Sequence, residues 1–265
     1  MAFLDQHITS TVASSTGLTI LAYLRSFALQ TLQCGPIPRH VAFILDGNRH
    51  FARKHGLSIP EGHSAGADRL FETLDMSYSL GITEVSAYLF SIENFKRGET
   101  QVSDLMTVIE SFIRRIAQPH GLLKKHGIQL RIIGRLEMVS SRLRSVATDA
   151  CTRTAGHSRG VVNLFIAYTG RDEIATAVQS TVVECSREGK GDVVKMLDRH
   201  MLSANSLPVD LLVRTSSTRR LSDFMLWQCH QGTEIMLLAC FWPAFTVWHL
   251  FWVVLRWQAR RGVGV

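Results

Sequence analysis

Across 265 residues there are only five cysteines (Cys34, Cys151, Cys185, Cys229 and Cys240), an odd number that never forms a CxxC pair. That argues against a disulfide framework or a cysteine zinc site and makes a reducing compartment the default. No GxxxxGK[ST], GxGxxG or HExxH run occurs, which removes the P-loop, dinucleotide-binding and zincin readings. DDxxD is missing as well. No RNP, zinc-finger or KH signature is present and the basic residues are scattered, so nucleic acid is not an expected partner. Low-complexity tracts, internal repeats and linkers are also lacking. Residues 1–16 are polar and carry no basic region of the kind that opens a secretory signal.

What is there suits a globular protein. The chain is 46% hydrophobic and 19% charged, enough to bury a sizeable core. Its net charge of +7 invites anionic partners such as phosphorylated small molecules or an acidic membrane surface. Residues 17–32 (GLTILAYLRSFALQTL) repeat apolar positions at helical spacing. They predict an amphipathic helix that docks on the body or lies on a membrane. The apolar run 235–255 is long enough for a bilayer span, yet Pro243 and His249 interrupt it. It reads instead as a buried strand, a proline turn and a core-facing helix.

Strand-like runs at His40–Leu45, Glu84–Phe90, Ile128–Ile133, Val161–Tyr168, Asp210–Thr215 and Glu234–Leu238 alternate with helical patterns. The helical stretches are 64–80, 101–126, 136–156, 171–186 and 191–203, with Gly81 and Gly127 as C-terminal stops. This alternation predicts one α/β domain with a mainly parallel sheet flanked by helices. The catalytic domain would span 35–265, after an N-terminal segment 1–34.

Ligands of such sheets sit beyond the carboxyl ends of the strands. Unusual polar residues gather there three times: Asp46-Gly47-Asn48-Arg49, then Ser91 to Arg97, then Arg214-Thr215-Ser216 with Arg220 and Ser222 beyond. A glycine after a strand, followed by an amide and basic groups, presents N–H donors to a phosphate. Asp46 beside it suggests a bridging Mg²⁺, and Arg214 with Arg220 suits a diphosphate. His63, in EGHSAG, follows the phosphate-type segment.

Together, HVAFILDGNRHFARKHG, EGHSAG, YLFSIENFKR, VDLLVRTS and RLSDFMLWQ resemble, in order, the motif blocks of the cis-prenyltransferases. That is the undecaprenyl and dehydrodolichyl diphosphate synthase family, with its eukaryotic dehydrodolichyl branch the nearest match. The resemblance runs from about Pro38 to Trp257. It implies an α/β fold with a hydrophobic product tunnel, acting as a homodimer or as a heterodimer with an accessory subunit. It also implies Mg²⁺-dependent addition of isopentenyl diphosphate, in cis, to farnesyl diphosphate. Asp46 would hold Mg²⁺ and help the allylic diphosphate depart. Gly47, Asn48, Arg49, His50, Phe51 and His63 would surround that diphosphate. Asn94 would act beside the condensing carbons with Ser91, while Phe95 and Arg97 line the pocket. Arg214, Arg220 and Ser222 would hold isopentenyl diphosphate, and Glu234 matches a metal-ligand position. The expected product is a dolichol-type precursor made peripherally on the cytosolic face of the endoplasmic reticulum.

Departures from the family pattern qualify this expectation. His50 stands where a second arginine is usual, and an imidazole side chain carries that charge only in part at neutral pH. Ser217 replaces a glycine, Ala239 and Ala244 replace acidic residues near the Trp-Pro turn, and Leu89 fills a position often held by alanine. Arg260-Arg261-Gly262 fits an RxG tail that contacts phosphate across a dimer interface, or is a frayed basic tail. The alternatives are a degenerate non-catalytic subunit of a prenyltransferase complex, or a short-chain variant.

Overall fold

The computed structural model describes residues 15–188, 191–230 and 232–262. Six strands form one sheet: β1 (His40–Ile44), β2 (Glu84–Ser91), β3 (Ile128–Ile133), β4 (Gly160–Tyr168), β5 (Leu211–Arg214) and β6 (Glu234–Leu237). Their order is β3-β4-β2-β1-β5-β6, and every pairing is parallel. A parallel strand covered on both faces needs an unbroken apolar run rather than alternation. β1 meets that need, being buried at each of its positions.

The helices are α1 (Ser15–Gln33), α2 (Asn48–Lys54), α3 (Ile59–Leu80), α4 (Glu99–Ile116), α5 (Leu122–His126), α6 (Ser141–Thr154), α7 (Gly170–Glu188), α8 (Val193–His200) and α9 (Val247–Gly262). Successive strand residues face opposite sides. Val41 and Phe43 join the larger core with Leu70, Leu74, Phe112, Ile113 and Trp257. Ala42 and Ile44 join a smaller cluster with Phe165, Leu212, Phe224 and Met225.

Boundaries differ from expectation where local chemistry intervenes. The helix expected from 64 begins at Ile59, because Ser58 and Glu61 form a capping box with Pro60 in the first turn. The helix expected over 101–126 breaks into α4 and α5, since Pro119 cannot donate to the helical ladder and Gly121 starts a new helix. Leu136–Met138 forms a separate 3-10 turn before α6. Gly81 (φ 107°) and Gly127 (φ 68°) are left-handed C-caps.

The apolar C-terminal run resolves into β6, a turn over Trp242–Ala244 containing Pro243, and α9. Among the described residues no helix is long and apolar enough to cross a membrane. The C-terminal half of α1 docks on the body: Leu32 is buried and its carbonyl accepts from Gln258 Nε2 at 2.7 Å. Tyr23, Leu24 and Phe27 stay exposed on the same helix. Residues 1–14 of the expected N-terminal segment lie outside the described residues.

β1 has β2 on one side and β5 on the other. The chain therefore leaves β1 toward one edge and returns beside it later, and a crevice opens where those directions diverge. α2 and α3 close one wall of it. A Cβ on Gly66 would lie 2.2 Å from Asn48 Oδ1, and one on Gly62 would lie 2.7 Å from the Ala52 Cβ. Gly66→Ala should therefore push Asn48 out of place and cost about 2 kcal/mol. Thermal unfolding should show a midpoint lowered by several degrees; an unchanged midpoint would mean that the Asn48 amide yields freely.

Candidate active site

Asp46 follows β1, and its backbone is held from two sides. Thr215 Oγ1 donates to the Asp46 carbonyl at 2.6 Å, and the Trp242 N–H donates to the same oxygen at 2.9 Å. Gly47 turns with φ 107°, and a Cβ there would collide with Phe241. Glycine is the residue that takes this conformation without cost. The turn launches α2, so Asn48, Arg49 and His50 sit in its first turn. Asn48 Nδ2 donates to the Leu45 carbonyl at 3.1 Å, leaving Oδ1 buried and unpartnered.

From β5, Arg214 reaches the same point. Its side chain is only 3% exposed, and Nη2 lies 2.7 Å from Asp46 Oδ2. Nη1 donates to Ser222 Oγ at 2.7 Å and also to the Arg220 carbonyl, while Arg220 Nε reaches Ser222 Oγ at 3.3 Å. Arg214 Nε is buried without a partner. After β2, Ser91 and Asn94 lock one another: Asn94 Oδ1 accepts from the Ser91 N–H, and Ser91 Oγ accepts from the Glu93 N–H.

These three strand ends enclose a cavity of about 700 Å³. Asp46, Gly47, Asn48, Arg49, His50, His63, Ser91, Asn94, Arg97, Arg214, Arg220 and Ser222 all line it. A second, apolar cavity of about 60 Å³ adjoins, walled by Leu70, Leu89, Leu105, Ile109, Phe112 and Trp242. Tyr88 and Leu89 border both.

Three expected site residues are not brought in. Phe51 lies on α2 against His55, with ring centroids 4.3 Å apart. Phe95 packs edge-on to Phe90 at 4.8 Å, supporting the wall from behind. Glu234 starts β6, in register with Leu211 rather than with Arg214. At roughly 3.3 Å per residue it sits about 10 Å below the rim, where Arg260 is its partner at 2.8 Å. The structure does not join Glu234 to Asp46 within one chain.

Sequence reasoning missed Tyr88, Arg171, Thr218, Asp223 and Leu226, which also line the cavity, while Glu93 and Ser216 of the expected rim segments line it too. Arg171 follows β4, so the strand-end rule could have found it.

The electrostatics is one-sided. Burial first, then Arg97 and Arg49, pushes the His63 imidazole down to about 4, against a weaker pull from Asp104. His63 is thus a neutral hydrogen-bonding group at pH 7. Burial and the neighbouring Arg49 lower the Arg97 guanidinium from its usual range, with Asp46 opposing. Burial raises the Tyr88 hydroxyl to about 12, keeping it a donor to the Tyr168 carbonyl at 2.9 Å.

The donor set suits a loosely held hard cation. No group of three or more His, Cys, Asp or Glu side chains stands together among the described residues. Asp46 offers one carboxylate, with Arg214 on Oδ2 and Oδ1 as the remaining donor. Mg²⁺ commonly binds this way, through one or two carboxylates plus water and substrate phosphates.

The departures acquire physical form. His50 stacks on Phe241 at 5.6 Å, and its Nδ1 accepts from Arg53 at 3.0 Å. Arg53 therefore brings a guanidinium to the imidazole. Ser216 and Ser217 adopt φ 76° and 54°, a region costing about 1–2 kcal/mol for residues with a Cβ. Their N–H groups bond the Cys240 and Leu238 carbonyls at 2.7 and 2.8 Å, which holds the turn in place. Neither Ala239 nor Ala244 lines the cavity.

A family profile described as "Putative undecaprenyl diphosphate synthase" matches residues 44–263. A dehydrodolichyl diphosphate synthase complex subunit of Schizosaccharomyces pombe is 38% identical over 245 residues, covering 91% of this chain and 92% of the relative. The human dehydrodolichyl diphosphate synthase complex subunit is 36% identical, covering 92% of this chain and 74% of its own length. Among solved structures, lavandulyl diphosphate synthase from Lavandula x intermedia, in complex with dimethylallyl diphosphate, superposes with a TM-score of 0.77. It is 26% identical and covers 84% of this chain and 96% of that one.

The His63 shift has a signed consequence. The unfolded chain takes up this proton near pH 6.5, whereas the folded chain resists it until about 4. Stability from this group is therefore present above pH 6.5 and drains away as pH falls toward 4. His63→Gln should flatten the fall in unfolding free energy between pH 6.5 and 4, measured by urea unfolding. A slope equal to that of wild type would overturn the assigned shift.

Proposed function

Because the chain belongs to the undecaprenyl diphosphate synthase family of cis-prenyltransferases, we propose that it joins isopentenyl diphosphate units, in cis, to farnesyl diphosphate. The product is a long-chain polyprenyl diphosphate of the dehydrodolichyl type, a precursor of dolichol for protein glycosylation. One observation carries this reading: two clusters of cationic and hydrogen-bonding groups flank Asp46 on one cavity, with an apolar cavity opening beside them.

Arg49, His50, His63 and the N–H groups opening α2 grip the allylic diphosphate, and Arg214, Arg220 and Ser222 grip that of the incoming unit. Asp46 would hold Mg²⁺, which would supply positive charge to the departing diphosphate. The allylic carbon–oxygen bond breaks, a carbon–carbon bond forms to the isopentenyl unit, and that unit loses a proton. Charge develops on the leaving diphosphate, where the fixed guanidinium groups stabilise it. Asn94, fixed by Ser91, orients the reacting ends. Leu89, Leu105, Phe112 and Trp242 keep water from the cation-like carbon and receive the growing chain. The substrate's own diphosphate serves as the proton acceptor.

The chain works as a dimer, with a second copy or an accessory subunit, on the cytosolic face of the endoplasmic reticulum. The exposed Tyr23, Leu24 and Phe27 of α1 suit that membrane surface. Arg260 and Arg261 pair with Glu234 and Asp210 at the far end of the sheet, so the tail could serve only a partner's cavity. A second reading, a short product, is favoured by Leu89, whose bulk stands where the two cavities meet.

Purified chain with Mg²⁺, farnesyl diphosphate and labelled isopentenyl diphosphate should yield products that chromatography sizes as long polyprenyl chains. Incorporation that appears only on adding a partner subunit would remove the homodimeric enzyme. Asp46→Ala should lower turnover at least about 100-fold, and an unaffected rate would overturn the role of Asp46. Leu89→Ala should lengthen the products. An unchanged length distribution would show that Leu89 does not bound the chain.

A further inference from the structure

We propose that the first turn of α7 braces the loop that grips isopentenyl diphosphate, with Asp223 and Arg171 as positioning residues for Arg214, Arg220 and Ser222. This rests on the reading of the cavity given above. The loop is held in a conformation it would not adopt alone. Ser222, Asp223 and Met225 have φ of 51°, 62° and 47°, and non-glycine residues seldom occupy that region. Strain of this kind persists only where the surroundings over-determine it.

The surroundings here are the start of α7. The Asp223 carbonyl accepts from the Gly170 N–H at 2.7 Å. Its Oδ1 accepts from the Arg171 N–H at 3.0 Å, and its Oδ2 accepts from Arg171 Nε at 2.7 Å. The carboxylate thus meets the positive end of the helix and a guanidinium together. The approach is close: a Cβ on Gly170 would stand 3.3 Å from the Asp223 carbonyl and 3.2 Å from Leu226, so a neighbour would have to give by a few tenths of an ångström. The far end of the loop is tied to the same turn, since Gln228 Nε2 donates to the buried Glu173 at 2.9 Å. Between the two ties, Phe224 and Met225 are fully buried.

Asp223 is the residue after Ser222, whose hydroxyl accepts from both Arg214 and Arg220. Releasing Asp223 would let Ser222 leave the left-handed region, and the two guanidinium groups would lose their common anchor. The sequence motif marks Ser222 and the arginines as binding groups; the brace that aims them becomes visible only in the fold.

Calorimetry with isopentenyl diphosphate alone tests this without turnover, because no allylic starter is present. Asp223→Ala should weaken binding about tenfold, and Asp223→Asn should recover most of it, since asparagine keeps one acceptor and tolerates positive φ. Arg171→Gln, at a side chain that is 73% exposed and so no threat to folding, should weaken binding about threefold. In the steady state, KM for isopentenyl diphosphate should rise while KM for farnesyl diphosphate holds. Wild-type binding left unchanged in both Asp223→Ala and Arg171→Gln would overturn the brace alone. Both KM values moving together would do the same, since a general loss of structure does that. Wild-type protein that binds no isopentenyl diphosphate would overturn the reading of the cavity, and the brace with it.

Discussion

The ion pair between the buried Arg214 and the half-buried Asp46 ties the end of β5 to the end of β1, where the directions of the chain diverge. A guanidinium only 3% exposed is tolerated only when a counter-charge meets it. Around it stand Arg49, Arg97, Arg171 and Arg220, all on one cavity. Asp46 is the carboxylate that touches Arg214. The same pair thus holds the free chain together and keeps the cationic pocket ready for anions.

The rest of the rim follows from that need for concentrated positive charge at fixed positions. Backbone donors and guanidinium groups act on a phosphate only if they cannot turn away. The fold secures this with a glycine turn at Gly47 (φ 107°) and with conformations that local preference disfavours at Ser216, Ser217, Ser222 and Asp223, all at positive φ. Each is bound by named partners, among them Cys240, Leu238 and the first turn of α7. Strain gathers at the strand ends because those residues must aim at a ligand instead of packing against one another. The apolar side of the cavity demands less. Leu89, Leu105 and Phe112 need only exclude water and leave room.

Much of the architecture was legible in the sequence because parallel strands are continuous apolar runs. All six runs became strands, and the polar residues after three of them line one cavity. The illegible parts share a cause. Arg171 read as an ordinary helix residue and Asp223 as one position of a motif. Their meaning lies in a contact 52 residues apart in the chain. Phe51 and Phe95 are motif neighbours of cavity residues, but helical geometry turns them onto His55 and Phe90. Glu234 carried a suitable side chain at the wrong end of its strand, and only the register of β6 against β5 reveals this.

By itself the sequence determined the α/β class, the strand set and the family, since these depend on local periodicity and on ordered motifs. The chemistry of Asp46, Asn48, Arg214 and Ser222 was written there too, as residue types. The tertiary structure decided which of them meet. It paired Asp46 with Arg214, left Glu234 to Arg260, and held Asp223 in the opening turn of α7. Charge pairing, burial and strain depend on distance in space, and sequence order does not encode that distance until the sheet's strand order is known.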